Sequence, residues 1–164
     1  MNTNMKGNGS VATRMTLWLS LGVWIGSWAF FAFVVSRVAF QELPGDVAGD
    51  LAGALLVYLH WGGVALALIA AGAAAALGRK GWLVWLPLLL AVSCLFSELW
   101  ISPEVAAVRP STLGAAATEE TSRRFGLLHG LSLGLFMLIH GLTFVLFIGH
   151  ARIEAREALT EPPA

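Results

Sequence analysis

Few side chains in this sequence could do chemistry, and they are thinly spread. There are four histidines, His60, His129, His140 and His150, one cysteine, Cys94, and one acid, Glu98, inside an otherwise apolar stretch. Capture of a soft metal asks for more thiolate or for histidines one helical turn apart. His129 and His140 are eleven residues apart, which is ~16 Å along a helix, so one ion cannot bridge them and no metal site is expected. His60 and His140 both fall near the middle of apolar stretches, and haem b held between facing helices is the one cofactor alternative they allow. Glu98 beside a histidine could relay protons. The sequence has no phosphate loop or His-Glu-x-x-His pair, so the expectation is a protein that is not an enzyme and carries no cofactor.

These residues must be positioned by helices in lipid. Apolar residues make up 57% of the 164, with 18 glycines besides, while charged residues are 12%, about half the usual ~25% of a soluble domain. That is too little charge to clothe a water-facing surface. Ten basic and ten acidic residues cancel, which removes the electrostatic case for nucleic acid. Four stretches reach the ~20 apolar residues that a bilayer span needs: about 15–40, 51–77, 82–101 and 125–148. Their length selects helix over strand. The expected fold is therefore an all-α integral membrane protein, four transmembrane helices in one compact bundle, with a polar arm at 1–14 and a polar tail at 151–164. The first stretch is too long for a signal-peptide core and reads as an uncleaved anchor. The lipid bilayer is the first partner, with a second copy or another membrane protein as further candidates.

Orientation follows from the basic residues. Lys6, Arg14, Arg79, Lys80, Arg152 and Arg156 lie on the side of the termini, and Arg37, Arg109, Arg123 and Arg124 on the other. The excess of six over four puts both termini in the cytoplasm of a cell-membrane protein.

At 100° per residue the faces of the spans differ. Gly126, Gly130 and Gly134 form a small-residue stripe suited to a close helix contact, and His129, Ser132, His140 and Thr143 form an adjacent polar stripe that should avoid lipid. His60 shares a face with Gly53, Gly63, Ala67 and Ala71. Arg37 falls with Gly22 and Gly26, and Glu98 with Pro87, Ala91 and Cys94. Arg37, Glu98 and His129 each lie about a turn inside their outer span ends. They are expected to meet in one polar layer, a pocket or a structural clamp, roofed by the segment Pro103–Arg109. Ser102 is expected to cap a short external helix that has Pro103 in its first turn and Glu104 at its positive end. Ser111–Ala117 reads as a flexible connection, and Thr118, Glu119 and Glu120 as the capped start of the last helix.

Two segments carry a family likeness. Trp100-Ile-Ser-Pro103 with Arg109, and then Phe125-x-x-Leu128-His129-Gly130-Leu131-Ser132, resemble the transmembrane protein 205-like domain family. The hairpin Phe33-Val-Val-Ser-Arg-Val-Ala-Phe40-Gln-Glu-Leu43-Pro44, with Ala48-Gly49, is similar too. The chain departs from the family pattern at Ser36, where proline is common, at Phe136, where asparagine is common, and around Tyr58. The resemblance implies four spans, no assigned catalytic activity, and Pro103, Arg109, His129, Gly130 and Ser132 as motif residues. An animal member's association with resistance to platinum drugs hints at transport or trafficking. Three roles are thus expected in turn: a non-catalytic scaffold or accessory protein, a transport or resistance module using an outward polar pocket, and a haem-binding bundle.

Overall fold

The computed structural model describes residues 3–111 and 118–160, with side chains placed at 11–111 and 118–159. Six α-helices follow in order: α1 (Thr3–Phe30), α2 (Ser36–Glu42), α3 (Gly45–Ala76), α4 (Trp82–Phe96), α5 (Ser102–Val108) and α6 (Glu119–Thr160). Two π-turns, Phe31–Val35 and Ser97–Ile101, join α1 to α2 and α4 to α5 without a break. Four rods result, Val11–Glu42, Gly45–Ala76, Trp82–Val108 and Glu119–Leu159, each long and apolar enough to cross a membrane. The protein is an all-α bundle of membrane-spanning helices.

Breaks in the chain have local causes. Pro44 forces Leu43 into extended backbone (φ −117°, ψ 152°) and ends α2. The α3–α4 turn uses Gly78 (φ +72°) and Gly81 (φ +65°), a backbone region that is cheap only for glycine. Thr118 and Thr121 exchange main-chain to hydroxyl hydrogen bonds of 2.8 and 3.2 Å, which caps the start of α6 as the sequence leads one to expect. Ser102 does no such work. The backbone at Ile101 and Ser102 stays helical and no side-chain cap forms, because α5 continues the third rod and there is no helix start to cap. The connection proposed at Ser111–Ala117 falls, from 112 to 117, outside the described residues.

α3 packs most closely against α4 and α1, and α6 lies across α4, α5 and α1. One core layer joins Trp24, Trp28, Ala67, Leu90, Cys94 and Phe136. A second, nearer the termini, joins Leu17, Leu21, Ala70, Leu83 and Leu146. α6 enters the core through Phe136, Ile139, Thr143, Leu146 and His150, all buried and spaced by three and four residues.

That spacing turns the glycine stripe away from the bundle. Gly126, Gly130 and Gly134 lie on the opposite side of α6, and a Cβ added at any of them would meet nothing within 4 Å; the same holds at Gly22 and Gly26. The expectation of backbone-close packing at these five glycines is therefore corrected. The close approaches occur elsewhere. A Cβ at Gly63 would sit 3.1 Å from Cys94 Sγ and 3.3 Å from Trp24 Nε1, and a Cβ at Gly149 would collide with the Trp82 ring.

The polar arm and tail drawn from the sequence are also helical. α1 begins at Thr3, and α6 runs unbroken to Thr160.

Candidate functional site

Glu98 marks the centre of the polar interior. Its carboxylate Oε2 lies 2.8 Å from Nδ1 of His60 on α3, with the two side chains only 14% and 3% exposed. The π-turn Ser97–Ile101 produces this meeting. A π-turn inserts one residue into an α-helix, so side chains in and after it leave the face a uniform 100° count assigns them.

The first rod has the same device one turn before Arg37. Its guanidinium is exposed, and it pairs with no acid among the described residues. His129 is exposed too, stacked on Phe125 at 5.3 Å. The layer of Arg37, Glu98 and His129 is corrected on these grounds: two π-turns shift the register, and α6 presents Ser132, half-buried, rather than His129 toward the bundle.

Aromatic rings wall the His60–Glu98 pair. Trp28, itself 1% exposed, meets His60 edge-on at 6.1 Å, His140 in parallel at 6.5 Å, and Phe136 in a stack at 4.5 Å. His60 and His140 therefore share a tryptophan as their common neighbour, and one ring nitrogen of His60 is already committed to Glu98. The buried indole N–H groups of Trp24 and Trp28 have no acceptor among the described residues. Among the described residues no three His, Cys, Asp or Glu side chains cluster as a metal site would require.

Arg109 makes a second site at the end of the bundle away from the termini. Its guanidinium donates to the Gly49 carbonyl at 2.8 Å and to Asp50 Oδ1 at 3.0 Å. A Cβ at Gly53 would collide with it, so a glycine is what leaves room for the cation on α3. The reading of this segment as a roof over an Arg37 layer is replaced by a clamp of α5 onto the start of α3. Arg124 on α6 ties to Glu104 on α5 at 2.8 Å, where Pro103 itself is exposed.

A third cluster closes the opposite end. Arg79, whose side chain is 6% exposed, makes a two-pronged pair with Glu157, one prong 3.0 Å long. Glu157 also accepts from Arg14 at 3.3 Å, and the Trp18 indole donates to Glu154 at 2.9 Å. The first rod, the last rod and the α3–α4 turn are thereby joined. Glu154 and Glu157, three residues apart on one helical face, were the available signal, hidden by reading that stretch as a loose tail. His150 lies just inside this cluster, fully buried beside the Leu83 main chain, with neither ring nitrogen in a well-formed hydrogen bond among the described residues.

Residues 19–112, more than half of the chain, match a family model described as a domain of unknown function, DUF4149. The chain belongs to the DUF4149 family. Neither the curated proteins nor the solved structures gave a match. The DUF4149 segment contains both partners of the His60–Glu98 pair and of the Arg109 clamp. It stops before α6, which supplies His129, His140, His150 and the terminal acids.

Proposed function

We propose that this DUF4149 protein is a non-catalytic accessory or scaffold protein of the cell membrane, with both termini in the cytoplasm. One observation carries the reading: three ionisable side chains that are buried or largely buried, His60, Arg79 and Arg109, fasten chain segments to one another. His60–Glu98 joins α3 to the second π-turn, Arg109 joins α5 to α3, and Arg79 joins the α3–α4 turn to α6. Two hollows, along α4 and beside α2, are open apolar grooves, unlike the enclosed, polar-lined pocket of a substrate site.

The finer likeness to the transmembrane protein 205-like family supports the same role. Its first hairpin supplies Gly49 and its Trp-Ile-Ser-Pro segment leads to Arg109, and those two residues meet at 2.8 Å.

A transport module is the second reading, favoured by the buried His60–Glu98 pair beside a π-turn, since ionisable residues within spans mark proton and ion pathways. Reconstitution separates the two. Vesicles carrying the protein should show no proton or monovalent-cation flux above protein-free vesicles. A flux that Glu98→Gln abolishes would overturn the scaffold role. Labelling of cysteines introduced at Ser10 and Ser111 tests the orientation, with Ser111 reached from outside intact cells and Ser10 not. A Soret band in protein purified in mild detergent would establish the haem alternative.

A further inference from the structure

We infer that the groove along the outer face of α4 is a binding site for an anionic phospholipid of the leaflet on the side of the termini. The groove measures about 510 Å³ and is lined by Trp82, Trp85 and Leu89 and ends at Val92. From Trp82 to Val92 it spans ~15 Å of helix, half the ~30 Å hydrocarbon core. It is therefore one leaflet deep and suits a single acyl chain lying along the helix.

Charge at its mouth selects the headgroup. Lys80 stands two residues before Trp82 and is exposed. The Trp82 ring packs on Gly149 of α6. Arg152 and Arg156 follow Gly149 by three and seven residues, which keeps them within about 60° of it on the helix and one to two turns nearer the headgroups. Both are exposed, and neither they nor Lys80 pairs with an acid among the described residues. Their neighbours Arg14 and Arg79 are instead occupied by Glu157. Three cations without protein partners among the described residues thus surround the entrance to an apolar slot, with an indole N–H-bearing residue at headgroup depth. A phosphodiester above the slot would satisfy them, since basic side chains at the membrane surface attract anionic headgroups.

Tryptophan quenching reads the site directly. The full-length protein is reconstituted in phosphatidylcholine vesicles containing a minor fraction of bromine-acylated phosphatidylglycerol or of bromine-acylated phosphatidylcholine. Trp82 and Trp85 should be quenched several-fold more effectively by the brominated phosphatidylglycerol. The triple variant Lys80→Gln, Arg152→Gln, Arg156→Gln changes only exposed side chains and should bring that ratio close to one. Trp82→Phe with Trp85→Phe should remove the headgroup-selective part of the signal. Equal quenching by the two lipids in the natural protein overturns the inference. So does a preference that survives the triple variant, or one that persists without the two tryptophans, because the anionic lipid is then bound elsewhere.

Discussion

Glu98 is predicted to be energetically coupled to His60 and not to Arg37, and two double-mutant cycles sharing Glu98→Gln test both statements. The His60 Nδ1 to Glu98 Oε2 separation is 2.8 Å, with side chains 3% and 14% exposed, so neither group has water to fall back on. A hydrogen bond to a charged group contributes about 1.5–3 kcal/mol. Ordinary interhelical hydrogen bonds within membranes average only about 0.6 kcal/mol. The pair's charge and burial place the His60/Glu98 coupling at the upper end, about 2 kcal/mol. His60→Leu with Glu98→Gln should therefore cost less than the sum of the single changes, since each single change leaves a buried polar group without its partner. Arg37→Met with Glu98→Gln should be additive within about 0.5 kcal/mol, as expected for side chains that do not touch. Equilibrium unfolding in mixed detergent micelles, followed by tryptophan fluorescence, supplies the free energies. A His60/Glu98 coupling below about 0.3 kcal/mol would refute the pairing, and a coupling to Arg37 above about 1 kcal/mol would restore the sequence-based layer in its place.

Three further outcomes follow from the packing. Gly63→Ala should destabilise by about 1–3 kcal/mol, because its Cβ would press on Cys94 and Trp24, whereas Gly130→Leu should leave unfolding in detergent unchanged or slightly more stable; equal losses at both sites would contradict the placement of α6. His150→Leu removes a buried imidazole that lies by the Leu83 main chain, Arg79 and Glu154 and makes no well-formed hydrogen bond among the described residues, so it should change stability by no more than about 1 kcal/mol, and a thermal melt showing a larger loss would reveal a true partner for that ring. Gly53→Val should displace the Arg109 guanidinium and destabilise the protein by about 1–3 kcal/mol, and Arg109→Met should absorb most of that cost when combined with it, a non-additivity that separate melts of the three variants measure.

The four spans were legible because lipid imposes a length and a composition that 57% apolar residues in four charge-poor runs satisfy. The break placed between the spans ending at 77 and beginning at 82 coincides with the Gly78–Gly81 turn. The partner of Glu98 was not legible, because a constant angle per residue contains no π-turn, and nothing in Phe-Ala-Phe-Val-Val or Ser-Glu-Leu-Trp-Ile announces one. His60 was placed on a small-residue face, which is where the structure buries it. The glycines of α6 misled for a different reason. Periodicity shows that they share a face but not what that face meets, and a buried stripe running from Phe136 to His150 took the core instead. Arg109 entered as a motif residue, and its function as a clamp needed Gly49, Asp50 and Gly53 to be seen beneath it.

α6 runs for 42 residues, ~63 Å at 1.5 Å per residue, about twice the thickness of the hydrocarbon core. It is pinned at both ends, through Arg124 to Glu104 and through Glu157 to Arg79, with ~50 Å of uninterrupted helix between the two pins. A bilayer thicker or thinner than the bundle's apolar band cannot be met by sliding one rod past another, since either pin would have to break. Hydrophobic mismatch must be absorbed by tilting the assembly as a unit or by deforming the lipid around it. The chain is thus expected to behave as a caliper of fixed jaw width, answering a change of bilayer thickness by tilt or by lipid deformation rather than by a change of its own length.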